Sequence, residues 1–404
     1  MGASQAIARG FQYGLLIFAL TALLGLANAT KIWGDLSRDQ LLTHLHAGTL
    51  GWITIGVFAI AAWIFGAASP SLGRYLAGSA VVTAAYVIAF WTGNFPARAI
   101  FGAIELVVIY AWWGWAARRA LSEGLGRISV PKLSVALGLT TLVVGSTLGV
   151  IVQAQFVLSQ ASQQTGNLIS AHAGAQVGGY LVLVAAGIVE WQLLGERPPS
   201  RAGQIQAALL FLSGIALSVG LLLNVSPLLL VQIVCQVAGI AIVAFRIGGA
   251  AVRSRWTDAG AARHSAIVVG FLILGAALTV DLVVQFIRTQ DPTSIPAGLF
   301  TALSHTMFVG VMTNALFGAI YLLTRDRPRA WAWADQLIFW GLNVGAAAFI
   351  VVLLAVGSSA GAGPFAHPVA YTASIMGLAA LLGIATFLQR LQPARAARRV
   401  PAPA

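Results

Sequence analysis

Six histidines stand in a chain of 404 residues that carries few other groups able to do chemistry. His44, His46, His172, His305 and His367 fall towards one end of long apolar stretches, and only His264 sits at the other end, beside Arg263. Imidazole is the commonest metal ligand a protein offers, and heme iron is typically held by axial histidine, so the pattern reads as a ligand set. His46, His172 and His305 lie about 5, 6 and 8 residues into their stretches, depths of roughly 8 to 12 Å at the helical rise. A bis-histidine heme needs two facing helices, each presenting one ring at equal depth, and His46 and His305 meet that condition. His44 is two residues from His46, about 200° around a helix, so both cannot face one iron. The alternative for any single histidine is an isolated interfacial ring bonded to a backbone carbonyl or a hydroxyl. His264 is expected to be such a residue, solvated at the interface.

The elements that must position these rings are membrane helices. The chain is 59% hydrophobic and 8% charged, with a mean hydropathy of +0.87, against about 25% charged in soluble chains. Charge-poor runs at roughly 11–29, 41–66, 74–92, 97–116, 133–155, 166–192, 203–223, 226–246, 265–287, 297–323, 333–356 and 367–389 predict twelve transmembrane helices. Strict alternation is absent, which excludes a β-barrel. The single cysteine, Cys235, excludes a disulfide framework and a CxxC redox pair. Of the 23 basic residues, all except Lys31, Arg38, Arg98 and Arg288 fall at the N-terminus, on the even-numbered connections or in the tail. That split predicts an inner-membrane protein with both termini cytoplasmic. The tail, 390–404, then reads as a basic segment on anionic lipid and not as a nucleic-acid arm. No cleavable signal peptide is expected, because the first span is long and lacks a small-residue cleavage site. The longest connectors, 117–132 and 247–264, leave no room for a soluble domain.

His46, His172 and His305 occupy spans 2, 6 and 10, four helices apart each time, and their surroundings recur. They begin HAGTLGW, HAGAQVGGY and HTMFVG, with Gly51, Gly178 and Gly310 one to two turns further on. This predicts a single transmembrane domain built as a threefold repeat of four-helix units, approximately 11–116, 133–246 and 265–389.

Twelve spans, a pseudo-threefold plan and histidines on spans 2, 6 and 10 resemble the catalytic subunit of heme–copper oxygen and nitric oxide reductases. That family carries a His-x-His on span 10, followed by an apolar Phe…Ile-Tyr pattern, and here His305 is followed by Phe317, Gly318, Ala319, Ile320 and Tyr321. The stretches THLHAGTLGW and SAHAGAQVGGY are similar to the shorter, NnrS-type branch of membrane hemoproteins. The resemblance implies a b-type heme with His305 as one axial ligand and His46, or His44, as the other. It implies His172 as a candidate ligand for a second metal, copper among them, or, with Gln176, as part of a gas pocket. The departures are specific. The family's other span-10 histidine falls on Leu303, span 7 has no histidine, Gln176 stands where a cross-linking tyrosine would be, and 357–367 reads GSSAGAGPFAH in place of a propionate-binding arginine pair. A standard binuclear oxygen-reducing centre cannot be built from this chain.

Arg38, Arg98 and Arg288 are candidate partners for heme propionates, each equally readable as a solvated interfacial base. Glu105 and Asp281, deep in apolar runs, are candidates for proton movement, although a structural hydrogen bond is the more common use of such a group. Gln153, Gln155, Gln232, Gln236, Asn314 and Asn343 read as interhelical glue, Met307 and Met312 as core filling, and the tryptophans as an interfacial belt. The expected function is electron transfer or a response to nitric oxide or another small gas, with lipid and an electron donor or respiratory-complex subunit as partners and no nucleic acid. The competing readings are a twelve-helix secondary transporter and an accessory subunit delivering heme or copper to an oxidase. Transporters place polar groups near the midplane on broken helices, whereas here they cluster towards one face.

Overall fold

Lipid offers no partners to backbone amides, so apolar runs this long must close their hydrogen bonds within helices. The computed structural model of the protein describes residues 3–66, 69, 71–291, 294–327 and 331–392. Arg329 and the tail arginines 395, 398 and 399 lie outside the described residues. Among the described residues, twelve helices are long and apolar enough to cross a membrane: α1 Ser4–Thr30, α2 Arg38–Ile64, α3 Leu72–Trp91, α4 Phe95–Glu123, α5 Val130–Val157, α6 Gln164–Leu194, α7 Arg201–Leu223, α8 Ser226–Val252, α9 Ala261–Thr289, α10 Ala297–Leu323, α11 Ala334–Val356 and α12 Pro368–Arg390. Among the described residues there is no β-strand. Several helices outrun their apolar cores. α4 continues to Glu123 and α8 to Val252, so the expected connectors 117–132 and 247–264 shrink to 124–129 and 253–260. A helix needs no bilayer to continue, and exposed bases such as Arg118 and Arg119 extend from its wet end.

Three helices form the centre. In α2, α6 and α10, 83%, 72% and 78% of the most apolar window is buried by protein, against 28–50% in the other nine. Each of the three is interrupted by a π-helical stretch: Ala47–Thr54 in α2, Ala175–Leu181 in α6 and Thr306–Thr313 in α10. A π turn holds one residue more than an α turn, which re-aims the side chains on either side and recurs at functional sites. The three stretches meet at the core. Trp52 Nε1–H donates to Thr313 Oγ1 at 3.1 Å, joining α2 to α10, and the Tyr180 hydroxyl donates to Thr54 Oγ1 at 3.2 Å, joining α6 to α2. Glycine permits the close approach this needs. A Cβ at Gly51 would sit 2.2 Å from Ile17 of α1, and one at Gly310 would sit 2.4 Å from Phe271 of α9.

Packing recurs with a period of four helices. α4 packs on α5, α8 on α9 and α12 on α1, while α2 touches α5, α6 touches α9 and α10 touches α1. Equivalent positions on α2, α6 and α10 therefore face equivalent gaps between neighbouring units.

Candidate functional site

Two cavities flank α2 in the half of the bundle away from most of the basic residues. The first, about 470 Å³, lies between α1, α2, α10, α11 and α12, and His44 and His305 both line it. The second, about 260 Å³, lies among α2, α3, α4, α5 and α6, with α10 at its edge, and His46 and His172 line it. The structure thus places His44, and not His46, opposite His305. The half-turn between two positions two apart on a helix sends His46 to the other side of α2, where its ring stacks on Phe90 at 3.9 Å and meets Tyr86 edge-on at 5.9 Å.

In the first cavity the rings of His44 and His305 have centroids 6.4 Å apart and planes 24° apart. Each ring is aimed by a backbone carbonyl. His44 Nδ1–H donates to Thr21 O of α1 at 2.9 Å, and His305 Nδ1–H to Thr301 O, one turn back on its own helix, at 2.9 Å. The second pair is held likewise: His46 Nδ1–H donates to Leu42 O at 2.8 Å and His172 Nδ1–H to Gly145 O of α5 at 2.7 Å. A carbonyl only accepts, so the bonding assigns the proton to Nδ1 in all four rings and leaves the Nε2 lone pair. Such Nδ1–H···O=C bonds fix tautomer and orientation in histidines that bind metals through Nε2. Among the described residues nothing hydrogen-bonds to these four Nε2 atoms. No group of three or more His, Cys, Asp or Glu side chains able to hold a metal ion occurs among them either. Each cavity offers two imidazoles; Glu105 also lines the second, but it is not grouped with His46 and His172 as a metal site.

The walls are apolar and aromatic. Phe18, Trp52, Phe308 and Phe349 line the first cavity, and the His305 ring lies 4.7 Å from that of Phe349. The second carries more polar groups. Glu105 is buried with both carboxylate oxygens within 3.0–3.1 Å of the Thr83 hydroxyl, and Gln176 Nε2–H donates to Ser146 Oγ at 3.2 Å. Gln153 Oε1 is buried on the same wall with no hydrogen-bond partner among the described residues, where a tie between helices was expected. Of the three arginines, Arg38 is the exposed first residue of α2 and lines both cavities. Arg98 is buried and its guanidinium is taken by Asp39 at 2.5 Å and the Phe90 carbonyl at 2.7 Å, so it does not reach either cavity. Arg288 is exposed at the end of α9 and lines neither. Asp281 also lies outside the site: it faces outward from α9 and accepts from Gln285 Nε2 at 3.0 Å, because its helical phase is opposite the packed residues Thr279 and Val283.

Other placements differ from expectation. His264 is fully buried: its Nδ1–H donates to Asn314 Oδ1 at 2.8 Å and its ring stacks on Tyr321 at 5.3 Å. Its position near the start of α9 suggested solvent, but α10 and α11 cover that face. His367 caps α12 through Nδ1, which accepts from the Val369 amide at 3.2 Å. Trp112 is buried and donates to Ser79 Oγ at 3.0 Å, while Trp331 and Trp333 are exposed as a belt requires. Gln232 bonds to Gln236 within one helix, whereas Asn314 and Asn343 do join α10 to α11, at 2.8 Å, and Gln155 bonds to Thr165 across the α5–α6 turn, at 2.8 Å.

Two ion pairs near the basic end, one half-buried and one buried, escaped the sequence reading. Glu190 of α6 takes a bidentate contact from Arg246 of α8, at 2.5 and 2.8 Å. Asp335 of α11 accepts from Arg390 at 2.5 Å and from the Tyr321 hydroxyl at 2.8 Å. The signal that could have found them is a carboxylate and an arginine at matching depth on helices that both end there. No known protein family matches this chain, and no curated protein matches it either.

Proposed function

We propose that this chain is a b-type membrane hemoprotein whose helices are arranged as in subunit I of the heme–copper reductases but without their binuclear centre. His44 and His305 would be the axial ligands, with the heme in the first cavity. The observation that carries this is the pair of facing imidazoles, each with Nδ1–H tied to a carbonyl. Two metal–imidazole bonds of about 2 Å, with about 1 Å from each nitrogen to its ring centre, put two centroids on either side of one iron ~6 Å apart. The pair here is 6.4 Å apart. A porphyrin brings four equatorial nitrogens of its own, which suits a site where protein supplies only two ligands. Bound there, the heme would supply one-electron exchange or a response to nitric oxide or another small gas.

The chain's own residues have clear parts in this reading. Thr21 and Thr301 carbonyls hold the two rings, and the apolar wall excludes water. The exposed Arg38 guanidinium, at the edge of the cavity, would pair with heme propionates. An electron donor or respiratory-complex subunit would meet the protein at this end, the outer one if the basic residues face the cytoplasm. The test is a reduced-minus-oxidised absorbance spectrum of the purified protein beside His44→Ala and His305→Ala. A low-spin b-type spectrum diminished in both variants supports the reading. A folded protein that stays colourless after heme is supplied refutes it and returns the transporter to first place.

A further inference from the structure

The second cavity repeats the first in its protein ligands. His44 and His172 each stand three residues ahead of a π stretch, which begins at Ala47 in α2 and Ala175 in α6. His46 and His305 each stand one residue ahead, of Ala47 and Thr306. The hydrogen bonds follow the same rule. His46 and His305 donate to the carbonyl four residues back on their own helix, Leu42 and Thr301. His44 and His172 instead donate to the preceding helix, at Thr21 of α1 and Gly145 of α5. Four residues beyond each of those carbonyls is a glycine against the ring. A Cβ at Gly25 would lie 2.9 Å from His44 Cε1, and one at Gly149 would lie 3.0 Å from His172 Cε1. A step of four helices, carrying α10 to α2 and α2 to α6, therefore carries the pair His305/His44 onto the pair His46/His172.

We infer that the second cavity is a second bis-histidine heme site, with His46 and His172 as axial ligands. The inference rests on the heme reading of the first cavity and extends it. A bare metal ion would need further protein ligands, and no third ligating His, Cys, Asp or Glu is grouped with these two among the described residues. A tetrapyrrole needs only the two Nε2 lone pairs that His46 and His172 leave unused. The third equivalent corner, between α6 and α10, has lost both ligands. The position one ahead of Ala175 is Gly174, against Leu217, and the position three ahead of Thr306 is Leu303, which is buried. The protein would then hold two hemes side by side, both cavities sharing Arg38, Ser304 and Phe308 as lining. The second cavity is the smaller, so its side chains must yield on loading, and it fills second.

The experiment is a titration of the full-length, heme-depleted protein in detergent with hemin, read at the Soret band, with heme counted per chain. Wild type is expected to saturate at two equivalents. His46→Gln and His172→Gln should saturate at one and keep the first heme's low-spin signal, the component that His44→Gln or His305→Gln removes. Gly149→Ala, which leaves all four histidines in place, should weaken only the second step. Saturation of wild type at one equivalent, with the His46 and His172 variants unchanged, overturns the second site and leaves the first intact. So does one heme accompanied by one copper ion that is lost in those variants. No uptake by any form overturns both.

Discussion

Gly25 offers a way to move one proposed ligand without removing it. The glycine lies in α1, four residues beyond the carbonyl that anchors His44, and a methyl group there would be 2.9 Å from His44 Cε1. Carbon atoms prefer separations of about 3.5–4.0 Å, so Gly25→Ala must push the ring back by roughly 0.6–1 Å. The ring has little freedom to absorb this, since its Nδ1 is tethered to α1 and its backbone is in the first turns of a packed helix. Disturbing the groups that aim a metal-binding histidine typically costs about 10–100-fold in affinity, or ~1.4–2.7 kcal/mol. The fold itself should not suffer, because alanine is better than glycine within a helix by roughly 0.5–1 kcal/mol. The assay is the rate of heme transfer to an excess of apoglobin, alongside thermal unfolding in detergent. Gly25→Ala should release heme about 10–100-fold faster at unchanged or higher melting temperature. Gly78→Ala, where an added Cβ meets nothing within 4 Å, should match wild type in heme release. Wild-type release from Gly25→Ala would refute the placement of His44 on the iron.

Other outcomes follow from charge and packing. Arg38→Gln removes an exposed positive charge at the edge of both cavities, so the heme midpoint potential should fall by on the order of tens of mV. The effect should shrink with added salt, and redox titration at two ionic strengths reads both. Asp335→Ala strands Arg390, a buried cation 2.5 Å from the lost carboxylate. That should cost about 3–5 kcal/mol, seen as a lowered unfolding midpoint, while the spectrum of the folded fraction is unaltered. Gly310→Ala drives a methyl to within 2.4–2.8 Å of the Phe271 ring. Overpacking of this kind costs about 1–3 kcal/mol and should appear as a lower melting temperature.

The period-four placement of His46, His172 and His305 was legible because helix rise converts sequence offset directly into depth, and charge-poor runs mark the spans. The partner of each ring was not. Depth is a one-dimensional quantity, while facing is set by helical phase and by which neighbour covers which side. His44 and His46 share a depth to within two residues yet open on different cavities. The π stretches add an extra residue per turn just beyond these histidines, and no composition rule in the sequence marks them. His264 failed for the same reason. A histidine beside an arginine at a span end looks solvated until the covering helices are in place, and Asn314 and Asn343, which complete its network, lie 50 and 79 residues away in the chain. Asp281 is the converse, a carboxylate deep in an apolar run that the helical phase turns outward.

The most direct test of the axial ligands is low-temperature electron paramagnetic resonance of the oxidised protein, comparing wild type with His44→Met and His305→Met. Methionine keeps a metal ligand at each position, so the fold and the heme can survive the exchange. The account requires a low-spin ferric signal in wild type that changes in both variants, and in each of them differently from His46→Met. A high-spin wild type, or a low-spin signal untouched by either substitution, would contradict it.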